Sequence, residues 1–258
     1  MKILLLFHYV GLRVINFLNE AGGLFILFLR VILLSFRPPF RVKHIISQME
    51  EVGVNSLPVV LITAVFTGMV LALQTYTGFR RFNAESLVGT VVALSMTREL
   101  GPVLTGLMVS GRVGSSMAAE LGTMRVTEQI DALITLATNP VKYLIVPRFV
   151  ASLIILPLLT VIADILGIIG GYFISVIILG SNSTTYIKRT IDYLELNDIY
   201  SGLFKASIFG MIIALVGCYH GFYTTGGAEG VGKATTKAVV IASLLILISN
   251  YFITAALF

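Results

Sequence analysis

The sequence predicts an all-α integral membrane protein: five transmembrane helices, an N-terminal interfacial helix and a short amphipathic helix on the cytoplasmic side. Composition is the first reason, since 57% of the 258 residues are apolar and 12% charged, whereas a soluble domain is about a quarter charged. So little charge cannot cover a water-exposed surface. The second reason is five stretches with the roughly 20 apolar residues that a spanning helix needs. The third is that Lys and Arg crowd into alternate connectors, as the positive-inside rule requires.

The opening residues Met1 to Phe7 mimic a signal peptide, but the apolar stretch is brief and no small-residue cleavage site follows. We expect it to be retained. Leu24 to Phe36 is too short to span comfortably and ends in Arg37-Pro38-Pro39. It reads as an interfacial helix with Arg30 and Arg37 reaching lipid phosphates, the alternative being an ordinary helix buried against the bundle.

The spans fall at about 56–79, 87–111, 149–179, 199–223 and 238–258. The third is long and contains Pro157, so one kinked helix and two shorter ones both fit; one helix keeps the charge count consistent. Small residues recur on the fourth at Ala206, Gly210, Ala214, Gly217 and Gly221, a spacing for close helix packing. Counted by segment, twelve Lys and Arg fall on the N-terminal side and five on the other, Lys205 among these five. That count puts the N-terminus in the cytoplasm and Phe258 outside.

The net charge of +5 is scattered between apolar runs, which argues for lipid headgroups over nucleic acid. A single cysteine, Cys218, excludes an intrachain disulfide, and His8, His44 and His220 lack metal-ligand spacing. Gly227 to Lys233 matches a phosphate-binding loop, but Ala234 replaces the hydroxyl that would hold magnesium. It reads as a flexible Gly-rich connector. No protease or nucleophile motif stands out.

Two segments carry more information. Arg98-Glu99-Leu100-Gly101-Pro102 sits in the middle of the second span, which places two charges near the bilayer midplane. Charges there are expensive and face protein or a wet cavity. Adjacent helical residues point about 100° apart, so Arg98 and Glu99 need other partners. Pro102 moreover leaves the Arg98 carbonyl without its helical donor. Either these residues line a substrate cavity or they form an ion pair locking helices together. Gly68, Gln74 and Tyr76 on the first span, among Leu71 and other apolar residues, would suit a substrate with hydrocarbon tails and a polar head.

The second connector, about 119–137, places Ile130, Leu133, Ile134 and Ala137 at i, i+3, i+4 and i+7, with Glu128, Asp131 and Thr135 opposite. This is an amphipathic helix that either docks into a soluble partner or lies on the membrane surface.

Taken together, Thr67 to Gln74, Val92 to Ser95 leading into Arg98 to Val103, Ser110 to Ser115 and Ala119 to Gln129 resemble the MlaE family. These are permease subunits of a bacterial ABC system that moves phospholipids between the inner and outer membranes and maintains outer-membrane lipid asymmetry. The resemblance extends over essentially the whole chain and includes Asn139-Pro140, Pro147-Arg148-Phe149 and Ala234 to Thr236. It implies an inner-membrane homodimer with a cytoplasmic ABC ATPase under each copy and a periplasmic ring of MCE-domain proteins above. It implies a lipid cavity near the dimer axis, formed by spans one, two and five, with Leu71, Gln74, Tyr76, Leu94, Arg98, Glu99 and Val103 at its wall. The 119–137 segment becomes the coupling helix, with Glu120, Arg125, Glu128, Gln129, Asp131 and Leu133 facing the ATPase. Residues 1–53 then form the N-terminal cytoplasmic or interfacial segment and 54–258 the permease domain. The chain itself is expected to be no enzyme and to hold no cofactor; ATP and magnesium belong to the partner. Arg80-Arg81-Phe82-Asn83 carries more positive charge than this pattern leads one to expect. The competing readings are an ATP-independent scramblase or secondary transporter and a structural membrane scaffold.

Overall fold

The computed structural model describes residues 2–39 and 41–257, with side chains from Gly11 onward except Asn16 and Phe17. Met1, which heads the apolar opening stretch, and Phe258, the expected outer terminus, lie outside the described residues. The described chain is helical from end to end: α1 (Lys2–Ser35), α2 (Val42–Gly53), α3 (Leu57–Phe79), α4 (Val88–Ser95), α5 (Gly101–Val109), α6 (Ser115–Val126), α7 (Gln129–Thr135), α8 (Val146–Tyr172), α9 (Ser183–Tyr193), α10 (Leu196–Phe222) and α11 (Gly227–Leu257). π-Helical turns at Met96–Leu100 and Ser110–Gly114 join α4, α5 and α6, while Val141–Ile145 and Phe173–Ile178 extend α8 at its two ends.

Among the described residues six helices, not five, are long and apolar enough to cross a membrane. The sixth is α1, where the apolar stretch judged too short is the second half of a 34-residue helix running on through Gly22-Gly23. From Glu20 onward its contacts fall at one end of the bundle. Glu20 reaches Lys237 and His220, Phe28 packs edge-on against Phe149, and Lys142 donates to the Pro38 carbonyl. A helix crossing beside the bundle would touch both ends; from Glu20 to Pro38, α1 instead lies across one.

The other spans form the bundle, antiparallel in chain order. The third is one uninterrupted helical run from Val141 to Ile178 with Pro157 inside, as expected. Small residues set the packing. On α3, Val60, Ala64, Gly68 and Ala72 are buried while Ile62, Phe66 and Val70 face outward. A β-carbon at Gly68 would collide with the Gly167 carbonyl oxygen of α8, and one at Gly210 of α10 with that of Ser152. Backbone therefore meets backbone at both crossings.

Three elements differ from expectation. Helix α11 begins at Gly227, so the supposed Gly-rich connector is its first turns, with Lys233 and Glu229 paired four residues apart at 2.6 Å. Gly226 and Gly227 make the left-handed turn that starts it. Helix α9 occupies what was read as a plain connector; Asn182 caps it by accepting from the Thr185 N–H, and Tyr186 anchors it among buried residues. The 119–137 segment is two helices. Thr127 closes α6 by bonding back to the Thr123 carbonyl, and Glu128 takes a left-handed conformation (φ 60°) before α7 starts.

Candidate functional site

The charges of the second span find the partners they require. Arg98 Nε donates to Asp198 Oδ1 at 2.7 Å, with Nη2 at 2.6 Å from the same oxygen. Asp198 is in the first turn of α10, where its other oxygen accepts the Glu195 N–H and completes a capping box. One carboxylate thus starts a helix and holds the arginine. Glu99 Oε1 accepts from Lys205 Nζ at 2.7 Å and from Thr254 Oγ1 at 3.0 Å, while Asn250 Nδ2 donates to Oε2 at 2.8 Å. Lys205 also donates to the Arg98 carbonyl at 2.8 Å. This is the carbonyl that Pro102 leaves without a helical donor, so the ammonium closes the gap opened by the proline.

The network joins α10, α11 and the π-helical turn Met96–Leu100. Such turns widen a helix locally and expose backbone groups to side chains. Lys205 and Asp198 side chains are 0% and 1% exposed, whereas Arg98 and Glu99 are 36% and 37% exposed. The anchors are therefore buried and the two residues of the second span face outward. Sequence reasoning missed Asp198, Lys205, Asn250 and Thr254. Lys205 was counted as a connector charge, yet it follows Asp198 by seven residues, two helical turns on the same face. Asn250 and Thr254 are four apart on an otherwise apolar span, a pattern that would have marked them.

The network is also off-centre. The helical run that carries it extends from Glu85 to Val126, so Arg98 lies about 20 Å from one end and about 42 Å from the other at roughly 1.5 Å per residue. Thr254 is in the last turn of α11. The charges sit toward the α9 end of the bundle, not at its middle, because the second helix runs well past the boundary expected near residue 111.

Beside the network on the same face, Leu71 and Gln74 join Phe66, Val70 and Leu100 around an open groove of about 400 Å³. Leu94 is half-buried and Val103 packs on the main core. Tyr76 is elsewhere: its hydroxyl reaches the Leu179 carbonyl at 3.4 Å, and it lines a separate pocket of about 290 Å³ with Glu85 and Asn182. It was grouped with Gln74 because both are polar, but helix α3 carries it onto the turn where α8 meets α9.

At the α2 end the proposed coupling residues divide. Glu120 is turned into the bundle, accepting from Arg148 of α8 at 2.8 Å and from Ser116 at 3.1 Å. Arg125 and Asp131 pair across the break between α6 and α7 at 2.6 Å. Glu128 and Gln129 are exposed. Ile130 is fully buried and Leu133 packs on the core, whereas Ile134 is exposed and Ala137, in a left-handed conformation, lies beyond the helix. The apolar stripe read from spacing is thus only half realised.

A bundle of long apolar helices with ion pairs inside its spans and a short helix pair between two of them is the architecture of a multi-pass membrane protein. Comparison with known proteins is more specific. Residues 45–256 match the family described as Permease MlaE. A probable ABC transporter permease protein of Rickettsia felis is 55% identical over 96% of both chains. One of Synechocystis is 46% identical over 84% of this chain and 82% of its own. The chloroplastic protein trigalactosyldiacylglycerol 1 of Arabidopsis thaliana is 38% identical over 89% of this chain and 65% of its own. The chain belongs to the MlaE family of ABC transporter permeases.

Proposed function

We propose that two copies of this chain form the bacterial inner-membrane core of an ABC transporter that moves phospholipid to or from periplasmic carriers. The observation that carries this reading is the open side of the bundle between α3 and α11. Arg98 and Glu99 are each more than a third exposed there, next to the apolar groove of Leu71, Gln74 and Leu100. Hydrocarbon would leave the exposed parts of those charges in contact with lipid tails, an unfavourable placement even for paired groups. A second copy, covering the same face by two-fold symmetry, encloses them instead. The enclosed space has apolar walls and a charged patch near one end, which matches acyl chains and a phosphate-bearing head. The glycerolipid in the name of the Arabidopsis relative supports a lipid substrate.

In this reading the α2 end is cytoplasmic. It carries Arg112, Arg125, Lys142, Arg148, Lys233 and Lys237, against Arg80, Arg81, Lys188 and Arg189 at the α9 end. Lys205 leaves the outer count because it is buried in the network, which sharpens the asymmetry. The C-terminus is then periplasmic, and an MCE-domain ring sits over the α9 end. An ABC ATPase, holding ATP and magnesium, docks on the exposed Glu128, Gln129 and Asp131. Glu120 and Leu133 brace that surface from behind. Exchanging lipid between the inner membrane and periplasmic carriers would give the transporter a part in maintaining outer-membrane lipid asymmetry.

Two experiments test this. Glu99→Lys sets a second ammonium beside Lys205 and should reduce lipid transport by reconstituted complex about tenfold or more, the scale of one unfavourable buried charge, while the ATPase still copurifies. Normal transport would remove Glu99 from the pathway. Glu128→Lys should weaken ATPase copurification without altering the melting temperature of the lone chain. An undiminished complex would place the ATPase elsewhere, and lipid flux by the lone chain without ATP would favour a scramblase.

A further inference from the structure

Where α1 crosses the end of the bundle it borders a further groove, remote from the network. Arg30, Leu33 and Leu34 of α1 and Arg37 just past its end fall at i, i+3, i+4 and i+7, a spacing that puts two arginines about 10 Å apart along the helix axis with leucines between them. Opposite stand Ile134 of α7, the connector Ala137 to Pro140, Val141 at the start of the run that leads into α8, and Phe222 and Tyr223 at the end of α10. Together these elements line an open groove of about 670 Å³, within the size range of small-molecule sites. We infer that this groove binds the head and upper acyl chains of one anionic phospholipid of the adjoining leaflet, as a site separate from the transport groove.

Charge complementarity selects that occupant. None of the twelve lining residues is acidic, and neither Arg30 nor Arg37 has a carboxylate partner among the described residues. A third cation, Lys142, is held at the rim by its bond to the Pro38 carbonyl at 2.7 Å. Two arginines flanking an apolar trough match a phosphate with its hydrocarbon beside it; guanidinium takes phosphate through paired N–H donors. A water-filled basic surface would not need Leu33, Leu34, Ile134 and Phe222 between its charges. The groove's floor is the connector that links α7 to α8, so a bound lipid joins α1 to the segment following the proposed ATPase-docking residues. The inference needs α1 to lie at the membrane surface and does not depend on what the protein transports.

The test is native mass spectrometry of the full chain released from nanodiscs of phosphatidylcholine containing graded phosphatidylglycerol. The wild type should retain one phosphatidylglycerol that R30Q/R37Q binds roughly thirtyfold more weakly, equivalent to about 2 kcal/mol at 1.4 kcal/mol per decade. R30K/R37K keeps the charge and should retain the lipid. R80Q/R81Q, altered at the far end of the bundle, should behave as wild type, and matched melting temperatures verify folding. Equal retention of both lipids by the wild type, or unchanged phosphatidylglycerol binding by R30Q/R37Q, overturns the inference. So does displacement by millimolar inorganic phosphate, which would mark a soluble-anion site. A variant that keeps the lipid but loses a copurifying ATPase would assign the groove to that protein and overturn it equally.

Discussion

Replacing Lys205 by Met is expected to lower the stability of the detergent-solubilised chain by about 2–3 kcal/mol, below the roughly 3–5 kcal/mol of a fully buried ion pair because the Glu99 left behind is more than a third exposed. Hydrogen bonds between membrane helices average only about 0.6 kcal/mol, so most single polar substitutions in the bundle should matter far less. Lys205 differs because one ammonium serves the Glu99 carboxylate, the Thr254 hydroxyl and the Arg98 carbonyl. Its loss strands a charge and reopens the backbone gap made by Pro102. Thermal melting of K205M, E99Q and the double variant gives the check. The double variant should recover much of the loss, since the stranded charge has gone, and a K205M protein that melts like wild type would show that the lock carries no weight.

The second large effect is expected from one added methyl group. Gly→Ala inside a helix ordinarily stabilises by roughly 0.5–1 kcal/mol. At Gly68 the new carbon would collide with the Gly167 carbonyl oxygen, so α3 and α8 must part along their whole crossing. Overpacking of this kind costs about 1–3 kcal/mol, and more where backbone opposes backbone. The sign should therefore invert: Gly68→Ala lowers the melting temperature and the yield. Gly22→Ala in α1, where nothing stands within 4 Å, should leave both unchanged or slightly raised. A Gly68→Ala protein as stable as wild type would mean that α3 is free to slide on α8.

These two positions were unequally legible in the sequence. The spans, the continuity of the third through Pro157 and the close packing of the fourth follow from hydropathy and small-residue spacing, which are local. Arg98 and Glu99 were legible as charges needing partners, because burial of charge has a fixed sign wherever it occurs. Which partners they take depends on the crossing of α10 and α11, and no periodicity along one helix reports that. Lys205 looked like a boundary residue because the polar Asn197-Asp198 lies only seven to eight positions earlier; the capping box at Glu195 and Asp198 shows that those residues already belong to the start of α10. Helix α9 stayed hidden for the opposite reason. Its eleven residues are short and polar on average, and what orders them is Tyr186 fitting against Gly171 and Gly89 of other helices. The 119–137 segment was read as one helix because its spacing continues through the break. The left-handed Glu128 breaks the chain where no glycine or proline announces it.

The way α1 is fastened braces one end of the bundle. At the α2 end, Glu20 clasps Lys237 of α11 and His220 of α10, and the Pro38 carbonyl holds Lys142 ahead of α8. Arg148 rivets α8 to Glu120 of α6 below it. Four of the five bundle spans are thereby cross-braced at one rim. At the opposite rim, α9 secures α4 and α8 through the Arg189 and Ile168 carbonyls, while the last turns of α11 are fastened by Asn250 and Thr254 at the charged lock. Helix α11 is thus held at both rims, by the solvent-facing Glu20–Lys237 pair at one and by the Glu99–Lys205 lock at the other, so it can part from its neighbours at the α9 rim only by giving up the bonds of Asn250 and Thr254.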